Sequence, residues 1–571
     1  DIIRKLNLEQ KCALLSGETV FTTRALPGRG IPAITLSDGP NGVRKQAGAA
    51  DHLGLNPSVP ATCFPTSSAT ACSWDEALGE AIGEALGEEA AAQEVAVLLG
   101  PGLNIQRSPL CGRDFEYFSE DPILAGKMAA AYVRGIQKKG IAACPKHFAV
   151  NSQELRRMAS NSVVDERTLR ELYLTGFEIV VKEARPKTIM TSYNLINGTY
   201  ANENAHLLQD ILRKDWGFDG AVVTDWGGSN DHALGVKNGS TLEMPCPGGD
   251  SIRELMKAVK NGKVTEADLD ARLDELLELV LSTHAAVEKA PRTFDAAAHH
   301  ALARRAAAES IVLLKNEDGI LPLKAGEKLA VIGDFAQTPR YQGAGSSAVN
   351  ALQVDALLDC IKADDRGIAF VGYASGFDRQ GAADPEKQEE AVSLAKQADT
   401  VLLCLGLDEL RESEGLDRAD MALAENQQQL LDAVAAVNPN VVVLLSAGAP
   451  VETPWAGRCK ALVYGALGGQ AGAGAAADIL TGKLCPCGKL SQTWAKAHDD
   501  TPAKANFGGE GRNVEYREGL YVGYRYYQTA GVKPAFPFGY GLSYTTFEYS
   551  GLKADETGVT LTVTNTGSAA G

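Results

Sequence analysis

The strongest constraint on this chain is an alternation that fills its first 285 residues or so: a short apolar run, a polar loop, then a helical stretch. The strand-like runs are Ala33 to Leu36, Val95 to Leu99, Ile141 to Cys144, Thr188 to Thr191 and Ala221 to Thr224, with helix patterns such as Trp74 to Gln93 and Asp165 to Glu183 between them. A helix between two strands lets the second strand run parallel to the first, and a long series of such units suits a (β/α) barrel. Residues 1–285 are therefore expected to form a (β/α)8 barrel-like domain.

A charged, Ala-rich helical stretch, Thr265 to Lys289, leads into Pro291, and residues 286–305 read as a linker. From 306 to 540 the strand-then-helix texture resumes, with strands at Lys328 to Ile332, Ile368 to Val371, Thr400 to Leu405, Asn440 to Leu445 and Ala461 to Tyr464. These runs are continuous and rich in β-branched residues, as in strands covered on both faces, so a doubly wound α/β sandwich is expected. Beyond Phe538-Gly539-Tyr540-Gly541, Val559 to Asn565 alternates like one half-buried strand. One strand cannot make a domain, so 541–571 reads as the beginning of a truncated β module.

The chain carries 55 basic and 72 acidic residues, a formal charge of −17, which argues against binding the phosphates of a nucleic acid. No apolar run approaches the roughly 18 residues that span a bilayer, so no membrane partner is expected. The chain starts at Asp1 with no secretion signal, which leaves a removed leader open. Of the eleven cysteines, Cys144 and Cys404 sit in apolar runs as small buried hydrophobes. Cys485-Pro-Cys487 lacks the spacing of a metal site. A reducing, cytoplasmic location is expected ahead of secretion. Neither metal nor cofactor is expected, and the oligomeric state stays open, a homo-oligomer included.

Chemistry in parallel α/β folds collects at the carboxyl ends of strands. Asp38 stands there after the first run, Lys146 and His147 after the third, Tyr193 and Asn194 after the fourth, and Asp225 with Trp226 after the fifth. Each taken alone has a plain structural reading: Asp225 an N-cap, His147 and Trp226 core residues, Asp38 a turn closer, Arg113 a partner for Glu116 or Glu120. Four strands delivering such groups together point to one pocket. A carboxylate next to Trp suits a sugar, the ring covering its apolar face while Asp38, Arg113, Lys146 and His147 bond vicinal hydroxyls. No phosphate loop or H-E-x-x-H pair competes.

The motifs resemble those of glycoside hydrolase family 3, in its β-glucosidase branch. They are Ser37-Asp38-Gly39-Pro40-Asn41-Gly42-Val43-Arg44; Gly112-Arg113-Asp114-Phe115-Glu116-Tyr117-Phe118-Ser119-Glu120-Asp121-Pro122; Lys146-His147-Phe148 with Asn151, Glu154 and Arg157; Ser192-Tyr193-Asn194; and Val223-Thr224-Asp225-Trp226. Later come Glu412-Ser413-Glu414-Gly415-Leu416-Asp417-Arg418 and Phe538-Gly539-Tyr540-Gly541-Leu542-Ser543-Tyr544. The order holds over almost the entire chain. Thr224 departs from the family's usual Ser, and Thr241 from a common Asp.

The resemblance implies a barrel, an α/β sandwich and a fibronectin-type-III-like module, with retaining hydrolysis. It implies Asp225 as nucleophile and Glu414 as acid/base, with Glu412 the weaker candidate. Asp38, Arg113, Lys146, His147, Arg157, Tyr193 and Trp226 would hold the terminal sugar. On this reading Lys146, Arg157 and, if charged, His147 keep Asp225 ionised, while burial away from cations raises the pKa of Glu414. The expected activity is exo-hydrolysis of terminal β-D-glucose from oligosaccharides or β-glucosides. The rivals are a β-xylosidase or α-L-arabinofuranosidase of the same family, and a non-catalytic sugar-binding protein on the same scaffold.

Overall fold

A computed structural model describes residues 1–48, 50 and 56–571. Two large buried cores organise it, one over the first half of the chain and one over the second.

In the first half, strands Leu36–Asp38, Val97–Leu99 and Ala142–Ala143 pair in parallel in that order. Parallel bridges carry the series on. Phe148 meets Thr191, Thr188–Thr191 pairs with Ala221–Thr224, Val223 meets Leu242, and Glu243 meets Ser16. All five expected runs overlap these strands, the first only at Leu36, and two, Thr188–Thr191 and Ala221–Thr224, coincide with them. The first is a correction: the strand begins at Leu36 rather than Ala33, and Ala33 is exposed. Helices follow as the caps dictate. Asp75 caps Glu76–Ala92 by accepting from the amides of Ala77 and Leu78, and Thr265 forms a capping box with Asp268 at the start of Glu266–Lys289.

The stretch 286–305, expected as a linker, is mostly helix. Glu266–Lys289 runs into it, Ala296–Ser310 begins inside it, and only 290–295 is irregular. Pro291 does stop the first helix, but Asp295 caps the next by accepting from Ala298. That second helix contributes Ala303 and Ala306 to one core and Ala307 and Ala308 to the other, so it ties the two halves together.

The second half holds a six-stranded sheet in the order Ala369–Ala374, Lys328–Ile332, Thr400–Gly406, Val441–Ser446, Ala461–Tyr464 and Val312–Asn316. The first five are parallel, and Val312–Asn316 adds an antiparallel edge that the sequence reading missed. Its apolar Val312-Leu313-Leu314 abuts an Ala-rich helix, so the change of periodicity was masked. At the end, Phe547–Asp555 and Gly558–Asn565 form an antiparallel hairpin. Every residue of both strands is exposed, so the expectation of a half-buried strand is corrected: among the described residues nothing covers either face.

Candidate active site

The carboxyl ends of the first-half strands open into a cavity of about 470 Å³. Asp38, Arg113, Lys146, His147, Arg157, Tyr193, Asp225 and Trp226 line it, and Gly345, Ser346 and Glu414 reach it from second-half loops. All nine residues singled out in the sequence therefore meet in one place. Arg113 and His147 are each 1% exposed and Lys146 2%, so the inner wall is solid protein.

Asp225 follows directly on the buried strand Ala221–Thr224. Its Oδ1 accepts from the Trp226 amide at 2.8 Å, while Oδ2 accepts no hydrogen bond from the described residues and lies 3.7 Å from His147 Nε2. Trp226 is fixed by its indole N–H, which donates to Val20 O at 2.7 Å, and Phe21 packs on it at 5.4 Å. Tyr193 donates its hydroxyl to Trp226 O at 2.9 Å, and the Arg157 guanidinium lies 5.0 Å from its ring. His147 Nδ1 sits 3.0 Å from the Tyr117 hydroxyl. Glu116 gathers Arg113 (2.7 Å) and Lys146 (3.3 Å) into a buried cluster below.

Glu414 comes from the loop after Thr400–Gly406. Its amide donates to Ala344 O at 3.0 Å, and Ser413 bridges Ala344. Both carboxylate oxygens are engaged. Oε1 accepts from Arg157 at 2.9 Å and lies 3.5 Å from Arg113; Oε2 accepts from Ser346 N and Oγ at 2.8 and 2.5 Å. Gly345 has φ +120°, and a Cβ there would lie 2.4 Å from Glu414 Cβ.

The electrostatics reverse the sequence expectation. Arg113, Arg157 and the Ser346 donors outweigh burial and hold the Glu414 carboxyl well below the usual range, because the loop sets it against cations instead of away from them. Burial raises Asp225, with Arg157 and Arg113 opposing. His147 is pushed well below its ordinary value by burial and by neighbouring Arg113 and Lys146, so the condition under which it would help hold Asp225 ionised, that it be charged, is not met. Burial also lifts Asp38 to about 6 against the pull of Lys146.

Sequence models of the family match the two halves separately. The description "Glycosyl hydrolase family 3 N terminal domain" covers residues 47–279 and "Glycosyl hydrolase family 3 C-terminal domain" covers 311–544. The chain belongs to glycosyl hydrolase family 3. Thermostable beta-glucosidase B of Acetivibrio thermocellus is 46% identical over 97% of this chain and 74% of its own length. An exo-alpha-(1->6)-L-arabinopyranosidase of Bifidobacterium longum is 45% identical over 99% of this chain and 76% of its own. The crystal structure of the Bifidobacterium adolescentis GH3 beta-glucosidase superposes with a TM-score of 0.94 at 44% identity, covering 99% of this chain and 82% of that one.

Within this family 3 chain the two glutamates of the Glu412–Arg418 loop divide clearly. Glu412 is buried away from the cavity, paired with Arg340 at 3.1 Å and accepting from the Gly448 amide at 2.8 Å; only Glu414 lines the pocket. Sequence reading passed over Phe21, Arg44, Gln46, Met190 and Ser346, which also line it. Met190 lies inside an expected strand, and Arg44 stands in a quoted motif, so those two had a signal. The others come from irregular segments with none.

Proposed function

We propose that this family 3 glycoside hydrolase is a retaining, exo-acting β-glucosidase that releases terminal β-D-glucose from oligosaccharides or β-glucosides by double displacement. The carrying observation is Asp225: a buried carboxylate at a strand end in the pocket lining, one oxygen oriented by the Trp226 amide and the other, 3.7 Å from His147 Nε2, accepting no hydrogen bond from the described residues. Oδ2 would attack the anomeric carbon, and Glu414 would protonate the departing oxygen. Retention asks for two carboxyls about 5–5.5 Å apart, close enough to repel, and Glu414 is among the groups that raise Asp225. The solid wall of Arg113, Lys146 and His147 supports exo action, since a chain entering the pocket must end there.

Asp38, Lys146, His147, Arg113 and Arg157 would bind the sugar hydroxyls, with Trp226 against its apolar face. Sugar hydroxyls that accept from Arg157 and Arg113 weaken the hold of both on Glu414 and raise its affinity for the proton it must deliver. Two frames go with this reading. The parallel pairings from Leu36 round to Ser16 support a (β/α) barrel over 1–285 ahead of the α/β sandwich at 306–540. The terminal hairpin supports the start of a fibronectin-type-III-like module from 541.

The arabinopyranosidase relative brings a second reading, a pentopyranose; L-arabinopyranose lacks glucose's carbon outside the ring and also has the opposite configuration at C4. A panel of nitrophenyl glycosides, followed by NMR of the first-formed anomer, tests the proposal. Fastest release from the β-glucoside, with β-glucose appearing first, is expected. Preference for a xyloside or arabinoside would replace the sugar, α-glucose first would replace the mechanism, and binding without release would make the protein a lectin-like scaffold.

A further inference from the structure

Three residues beyond Glu414, on the same loop, Asp417 makes contacts of a different kind. Its Oδ1 accepts from the Gly112 amide at 3.0 Å and the Glu154 amide at 2.9 Å, and its Oδ2 accepts from Leu155 N at 2.9 Å and Glu154 N at 3.1 Å. All three amides belong to the first half of the chain. Gly112 precedes Arg113, and Glu154 lies three residues before Arg157, so one carboxylate from the second half fastens both loops that carry arginines to Glu414. The link is returned: Glu154 Oε2 accepts from the Gly415 amide, next to Glu414, at 2.8 Å and from Arg157 at 2.7 Å. The fit leaves no slack, for a Cβ on Gly112 would lie 1.7 Å from Leu416 O.

We infer that Asp417 is a positioning residue for the acid/base step: it ties the loops bearing Arg113 and Arg157 to the Glu414 loop, and so sets where the Glu414 carboxyl stands against the leaving group. The inference rests on the reading of Glu414 as acid/base. Asp417 touches backbone alone, and its effect passes through Glu414. A displacement of about 1 Å in a reacting group costs on the order of 10²-fold in rate, and an acid out of place hurts only substrates that need protonation to depart.

Asp417→Asn is the direct test. An Asn can keep two of the acceptor contacts on its oxygen but turns an N–H₂ toward the Leu155 amide. Hydrolysis of aryl and alkyl β-glucosides of graded leaving-group acidity is compared for wild type, Asp417→Asn, Asp417→Ser and Glu414→Gln, each with its melting temperature. The expected result for Asp417→Asn is a loss of about 10²-fold in kcat/KM for phenyl and alkyl glucosides against about threefold or less for dinitrophenyl glucoside, with melting near wild type. Equal loss on all substrates, while Glu414→Gln shows the uneven pattern, overturns the inference alone. An even pattern in Glu414→Gln instead removes the acid/base reading beneath it. Failure of both Asp417 variants to fold makes Asp417 a stability residue and also overturns the inference.

Discussion

The two walls of the pocket are built on different terms. The first-half wall delivers Asp225 from a strand end, with one oxygen accepting no hydrogen bond from the described residues and its pKa raised by burial. The second-half wall is made of loops and delivers Glu414 with both oxygens engaged and its pKa lowered by arginines. A strand end fixes a side chain without having to satisfy it, whereas an exposed loop holds a carboxylate in place only through partners. On the proposed reading the nucleophile is thus prepared by its scaffold, and the acid is parked by contacts that substrate would exchange.

The comparison breaks first at Asp225. Asp225→Asn should lower kcat/KM on the order of 10⁴-fold or more for every glucoside, good and poor leaving groups alike. Steady-state rates across a substrate series check this; a variant within tenfold of wild type would move the nucleophile elsewhere. Glu414→Gln should instead divide the substrates, losing about 10²- to 10⁴-fold on alkyl glucosides and little on dinitrophenyl glucoside, with azide restoring turnover. Gly345→Ala probes the parking contacts. Its Cβ would press on Glu414 at a backbone angle that disfavours side chains, and about 10²-fold lower activity on poor leaving groups is expected while circular dichroism stays unchanged.

Acidity sharpens the contrast on the strand-end side. Asp38 is ionised above about pH 6 and protonated below it. A protonated Asp38 loses acceptor capacity for sugar hydroxyls, so KM should rise roughly tenfold per pH unit below that point, with kcat less affected. Asp38→Asn should flatten this rise while giving a high KM throughout. The smallest effect on chemistry is expected at Glu412. Removing its charge in Glu412→Gln breaks a buried pair with Arg340, costing about 3–5 kcal/mol of stability by calorimetry or denaturant titration, while the folded fraction keeps the wild-type leaving-group dependence.

Much of the strand-end wall was legible in the sequence, because strand ends announce themselves: an apolar run halts at Asp225 or at Lys146-His147 and the polar residue is already aimed. The charge state of Glu414 was not legible. It depends on Arg157, 257 residues away, and on Ser346 from a third segment, and no local pattern encodes that meeting. The linker failed for a related reason. Pro291 does end a helix, but Asp295 starts another four residues later, and a cap is a weaker mark than a proline. The exposed hairpin shows the limit of alternation, which reports which residues share a face and not whether anything covers it.

The central claim is that Asp225 Oδ2 becomes bonded to the sugar's anomeric carbon. Incubation with an activated 2-fluoro-2-deoxy-β-glucoside, then proteolysis and mass spectrometry, reads that bond directly. A single 2-fluoroglucosyl adduct is expected on the peptide holding Thr224-Asp225-Trp226, located on Asp225 by fragmentation and absent in Asp225→Asn. An adduct on Glu414 or any other residue would contradict it, as would turnover with no adduct at all.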